Sequence, residues 1–330
     1  MSAIGLRTPA APASGLRGPV RVLLRQHRRS LWAAGALVAL GVALVVGLRI
    51  WVAVASSAER CADGDTTRCG DGLYLTTYAR TSAETFLEDG GTVILLLAAL
   101  IGAFVAGPLI ARELESGTYR MAWTQSVSPT RWLVARLTVP AALATAGITV
   151  LVLVYRWGRS YLLESPYTSG LSWHLQSVYP AIGPVAVGYA ALATAVGTLT
   201  ALVVRRTVLS LSAALLVIGV VVKAMERVRA DLWPTDRFLG GHNPGADAWL
   251  ISGGKLTASG EELLWEDCYS TDRMADPAAC MRNRGGITDF LDAHPASHFW
   301  PLQLVETGIL LVLAAAAVAL AFRVLRRRHG

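Results

Sequence analysis

Residues with catalytic side chains are present in this chain, but their spacing does not assemble a catalytic site. His174, His242, His294 and His298 lie in connecting segments and read as structural residues. Gly253-Gly254-Lys255 is the nearest approach to a phosphate-binding loop, yet Leu256 stands where a Ser or Thr is needed and the upstream glycine is misplaced. Neither a GxSxG elbow nor an HExxH helix occurs. The expectation is therefore a non-enzymatic chain with no catalytic residue and no metal ligand set. The cysteines form two close pairs, and neither has a CxxC spacing. They read as local disulfides, Cys61 with Cys69 and Cys268 with Cys280, with a metal site or swapped pairing as the alternatives.

The densest polar information is the stretch Arg112-Glu113-Leu114-Glu115-Ser116-Gly117-Thr118-Tyr119-Arg120, followed by Met121-Ala122-Trp123-Thr124-Gln125-Ser126. Gly117 is placed to end or kink a helix, and Ser128-Pro129 to start the next. A short helix between two breakers, carrying acids and an aromatic, suits a docking surface. The bland reading is a simple turn.

These residues are positioned by apolar elements. The chain has 330 residues and is 53% hydrophobic, with a mean hydropathy of +0.46. That is more apolar than a soluble domain and points to an all-α polytopic membrane protein. Six spans are expected: Leu31 to Val54, Val93 to Ile110, Leu133 to Val154, Ile182 to Val204, Thr207 to Val222 and Leu302 to Phe322. Each has roughly 16 to 24 residues against the ~20 that cross a bilayer. Arginine sets the orientation. Six precede span one, Arg112, Arg120, Arg131 and Arg136 lie at the turn between spans two and three, Arg205 and Arg206 join spans four and five, and four more follow span six. The chain is only +7 overall, so the remaining connections are acidic and both termini are expected in the cytoplasm, in a plasma-membrane protein. The basic character then reflects topology and contact with anionic lipid rather than a nucleic-acid partner.

Residues 1–16 read as a disordered tail, and residues 17–330 as a single six-span membrane domain. Pro19 opens an amphipathic helix lying on the inner leaflet, with Arg21, Arg25, Arg28 and Arg29 on its polar side. Segments 55–92 and 223–300 are expected as extracellular loops, the second large enough for a small subdomain, and 111–132 as a cytoplasmic loop. Arg49, Arg136 and Glu306 fall near span ends where each is free to snorkel, which leaves the membrane midplane without an ionisable group. The energy for any work must then come from another chain.

Arg112-Glu113-x-Glu115-x-Gly117-Thr118, Ala122-Trp123-Thr124-Gln125-Ser126-Val127 and Arg131-Trp132-Leu133 resemble the loop between the second and third spans of actinobacterial permease subunits of type-2 ATP-binding-cassette (ABC) exporters. His294-Pro295, Phe299-Trp300, Gln303 and Glu306 resemble the entry of that family into its last span. The resemblance implies a homo- or heterodimer of six-span subunits bound to cytoplasmic ABC ATPases, which hold the ATP and Mg while this chain holds no cofactor. It also implies roles. Arg112, Glu113, Glu115, Gly117, Thr118, Trp123 and Gln125 would form the coupling element that docks the ATPase, and Phe299, Trp300, Gln303 and Glu306 would line the outer end of the path. An amphipathic or lipid-like cargo fits an apolar lining. The alternative is a non-transporting scaffold or sensor with disulfide-bonded outer loops.

Overall fold

In the computed structural model the described residues are 25, 28–57, 72–120, 128–163, 171–269 and 276–329. The disordered-tail reading, the amphipathic entry helix before residue 28 and the pair Cys61 and Cys69 lie outside them.

Among these residues, six helices are long and apolar enough to cross a membrane. The first is α1 (Arg28–Ser57). The second runs through α2 (Gly72–Ile101), a π-helical turn (Gly102–Ala106) and α3 (Gly107–Ser116). The third is α4 (Pro129–Leu163). A short α5 (Val178–Ala181) precedes the fourth, α6 (Val185–Val204). The fifth, α7 (Thr207–Val228), continues into a 3₁₀ turn (Arg229–Leu232).

Four strands follow, β1 (Asp236–Leu239), β2 (Trp249–Thr257), β3 (Glu262–Leu264) and β4 (Gly286–His294). Two short helices, α8 (Glu266–Tyr269) and α9 (Pro277–Asn283), lie between β3 and β4. The sixth span is α10 (Phe299–His329).

Helix α6 is the centre of the bundle. Two thirds of its most apolar stretch (67%) is buried, against 6% for α1 and 17% for α7. Its sequence explains this. Ala186, Gly188, Ala190, Ala193, Ala195 and Gly197 keep its surface low, so neighbouring helices close in on van der Waals contact. Thr194 and Thr198 are fully buried but donate to the carbonyls of Ala190 and Thr194, which satisfies their hydroxyls within the helix. The outward faces of α1 and α7 stay apolar, as a bilayer requires.

The boundaries depart from the sequence reading in three places. Residues 72–92, expected in an extracellular loop, are helical. Ala79, Ala83, Leu87, Ile94 and Ala98 repeat on one face and are all buried, and this period runs straight through Arg80, Glu84, Glu88 and Asp89, which hide it from a hydropathy reading. Span five continues beyond Val222 to Leu232, because Lys223 pairs with Glu226 one turn away and Arg229 finds a buried partner.

The third departure is the all-α expectation, which the 223–300 segment overturns. β1, β4, β2 and β3 form an antiparallel sheet in that order. Arg237 on β1 holds one face together, with a bidentate pair to Asp292 (2.7 and 2.8 Å) and a contact to Glu262 on β3 (2.5 Å). The guanidinium holds the Asp292 carboxyl below the usual carboxylate range. A disulfide joins Cys268 to Cys280 across α8 and α9, with Cα atoms 5.9 Å apart.

The sheet is fixed to the bundle by aromatic rings and histidines. Trp173 donates from Nε1 to the Asp247 carbonyl (2.6 Å), and its ring meets those of Trp249, Tyr179 and Phe299. His174 stacks flat on Trp249. His294, fully buried, bonds through Nε2 to the Ala230 carbonyl (2.9 Å) and through Nδ1 to Nδ1 of His298 (3.1 Å), which in turn faces Asp236 at 3.4 Å.

Burial holds the His294 imidazole below its ordinary value. His298 acts in the same sense, whereas the Ala230 carbonyl, Asp236 and Asp231 act against it. The unfolded chain then takes up a proton at about pH 6.5, where the folded chain does not. The junction is therefore stable above that pH and weakens as pH falls through the folded value. Hydrogen exchange of β1 and β4 amides, corrected for intrinsic rates, should show protection falling between pH 7.5 and 5 (about neutral to mildly acidic), and His294→Gln should remove most of that dependence.

Candidate functional site

The sequence-derived candidates fall at the two ends of the bundle, which differ in character. At the sheet end, span four does not begin as a continuous helix. It breaks between α5 and α6 at Ile182-Gly183-Pro184, leaving backbone groups exposed in an apolar interior, where an unmet hydrogen bond is costly. Gln303 on α10 fills the break. Its Oε1 accepts from the Val185 N–H (3.2 Å) and its Nε2 donates to the Tyr179 carbonyl (2.7 Å). Position 183 must be glycine for this, since a Cβ there would collide with the Gln303 carboxamide.

One turn further along α10 lies Glu306, with 0% exposure, paired with Arg229 at 5%. Arg229 Nε donates to Oε2 (2.8 Å) and Nη2 to Oε1 (3.1 Å), while the Tyr189 hydroxyl donates to Oε1 (3.1 Å). The guanidinium lies 4.2 Å from the centre of the Tyr179 ring. Three consecutive spans are thus joined by one carboxylate. The expectation that Glu306 snorkels to an interface is incorrect: its charge is neutralised inside the protein, within spans five and six. Gln303 and Glu306 also have separate partners rather than each other. Phe299 packs against Trp173 and Tyr179, and Trp300 is half exposed with Arg156 over its ring at 5.2 Å.

At the opposite, arginine-rich end, α3 stops at Gly117, which adopts a left-handed φ of +72°. Arg112 and Thr118 are exposed, and the Thr118 hydroxyl meets that of Ser116 (3.0 Å). Trp123 and Gln125 lie outside the described residues. Glu113 accepts from Trp132 Nε1 (2.9 Å) and pairs with Arg136, both on α4. Arg136 therefore ends in an ion pair and does not snorkel to the headgroups. Glu115 reaches α7, accepting from the Thr207 N–H (3.1 Å) and hydroxyl (2.7 Å). Beneath these contacts Ile110, Ala111, Trp132, Leu133, Ala201, Leu202, Ala321 and Leu325 form a separate apolar cluster.

Sequence reading missed Arg229, Tyr189, Tyr179 and Gly183 at one end, and Trp132, Arg136 and Thr207 as partners at the other. A usable signal existed for Arg229: span six contains one acid, and an arginine seven residues before β1 is its natural neutraliser.

Six apolar helices around an interior in which Arg229 neutralises Glu306 define a multi-pass helical membrane protein. Residues 33–229 match the family model described as ABC-2 membrane transporter related. The chain belongs to that family. Its membership makes this an ABC-2 type permease, a membrane transport subunit that is not itself catalytic, and implies association with an ATP-binding subunit. The match covers spans one to five and ends at Arg229, so the sheet and α10 lie beyond it. No curated protein and no solved structure shows significant similarity to the chain.

Because both members of the Arg229–Glu306 pair are desolvated, removing one leaves a buried charge. Arg229→Met or Glu306→Gln alone should lower stability by about 3 to 5 kcal/mol, and Arg229→Met with Glu306→Leu should recover much of the loss. Thermal unfolding in detergent reads the ordering; two single variants as stable as the parent would show that the pair is not a brace.

Proposed function

We propose that this chain is the membrane subunit of an ABC exporter in the plasma membrane, and that a cytoplasmic ABC ATPase docks on the 111–132 connection. In this reading both termini and the arginine-rich end face the cytoplasm, as the arginine distribution favours. The sheet faces outward, where its disulfide would form readily. ATP and Mg bind only on the partner, and two permease subunits, alike or different, pair in the membrane.

The observation that carries the reading is the build of the 111–132 connection. Its two glutamates are tied into spans three and five, while Arg112 and Thr118 point to solvent. A surface of that kind offers a contact face without spending its structural acids on the partner. Arg112 and Thr118 are therefore contact residues, and the family resemblance adds Trp123, as the anchoring aromatic, and Gln125. Glu113, Glu115 and Gly117 hold the connection in shape.

At the outer end, the closed cluster of Gln303, Glu306 and Phe299, with Trp300 at its rim, is the exit side of the path. The broad apolar surfaces of α1 and α7 favour an amphipathic or lipid-like cargo.

The purified chain should hydrolyse no ATP, and a cytoplasmic ATPase should copurify with it in mild detergent. Arg112→Ala with Trp123→Ala should reduce the ATPase recovered by about tenfold or more, as expected for loss of an interface anchor. Undiminished recovery would place the docking surface elsewhere.

A further inference from the structure

We infer that Glu115 is a positioning residue for transport: it passes movement of the 111–128 connection into span five. This rests on the reading that an ATPase engages that connection. Glu113 and Glu115 are two residues apart on α3, so they point to different sides of the helix and reach different neighbours. Glu113 is bound to α4 by an indole and a guanidinium. Glu115 is bound to α7 alone, through the first residue of that helix.

The start of α7 needs such a partner. Arg205 and Arg206 alone connect α6 to α7, and Arg206, the residue before the helix, makes no side-chain cap. The first N–H groups of a helix have no partner within it, and its dipole favours a negative charge there. Glu115 supplies both the acceptor and the charge from another span. The Thr207 hydroxyl donates to the same carboxylate oxygen as the N–H, which strengthens the contact at one point.

The apolar packing at this end makes the tie consequential. The cluster of Ile110, Trp132, Leu202 and Leu325 joins α3, α4, α6 and α10, and neither its buried members nor the partly buried residues packed on it come from α7. The first turn of α7 instead exposes Val208 (74%) and Leu209 (53%). Ser210 in the same turn is buried, and α7 runs close against α3 and α6, so the carboxylate tie closes the polar end of a packed seam on which a shift of α3 acts. Packing and the polar tie thus both join span five to α3, and the tie is the part that fixes the first residue of α7.

The test uses the full permease–ATPase complex and spin labels, which require no knowledge of the cargo. Nitroxides at Ser116 and Arg326 report on the connection, and nitroxides at Ser212 and Arg326 on span five; all three positions are exposed. Trapping with ATP and vanadate should shift both distances by about 2 Å or more in the parent, the scale of helix displacements in such transitions. In Glu115→Ala with Thr207→Val the Ser116 distance should still shift, while the Ser212 shift should fall by at least half. Glu115→Gln, which keeps an acceptor but no charge, should give a smaller loss and serves if the double variant fails to assemble. An unchanged Ser212 shift in both variants overturns the inference. A Ser116 distance that does not respond in the parent, with ATPase bound, overturns the coupling role of the connection itself.

Discussion

A polar group inside an apolar bundle has no water to turn to, so each must be met from within the chain. Much of this molecule follows from that constraint. The break before α6 would leave the Tyr179 carbonyl and the Val185 N–H unpaired, at about 1 to 3 kcal/mol each, and Gln303 meets both. Glu306 would be an isolated charge, and Arg229 and Tyr189 meet it with three hydrogen bonds. Each solution reaches across helices: α10 supplies the side chains, and span four and the end of span five supply the partners. The spans at the sheet end are thereby fixed in both position and rotation.

The two ends have different mechanical characters. At the sheet end, a buried ion pair, a carboxamide bridge and a layer of aromatic rings join spans four to six to an antiparallel sheet. At the arginine-rich end, an apolar cluster holds four helices, and the start of span five packs on α3 and α6 and is capped by an exposed carboxylate. The left-handed Arg205 (φ 56°), uncommon for a residue with a side chain, gives the tight turn that keeps the α6–α7 connection to two residues.

Much of the bundle was legible in the sequence because bilayer thickness imposes a length and a composition on every span. All six were found, though with ends shifted. The ends moved for one reason: hydropathy scores a charged residue as leaving the membrane, whereas packing asks only which face it occupies. Arg80, Glu84 and Glu88 flank a buried face that carries Ala79, Ala83 and Leu87, about 100° away around the helix, and Arg229 turns inward to a counter-ion some 77 residues away. The sheet was hidden by short edge strands and by weak alternation in β2, which is interrupted at Gly253-Gly254 and irregular in register near Leu250 and Leu256. Glu113, Glu115, Gln303 and Glu306 were singled out from their types and a family resemblance. Their partners were not, because tertiary approach selects a partner and sequence separation carries no record of it.

The proposed docking of an ATPase is at the arginine-rich end. The most direct test is photo-cross-linking in native membranes, with p-benzoylphenylalanine replacing either Arg112 on α3 or Leu250 on the exposed part of β2. The account predicts an adduct with a cytoplasmic ATPase from position 112 and none from position 250. An ATPase adduct at position 250, or none at 112 while the ATPase remains bound, would contradict it.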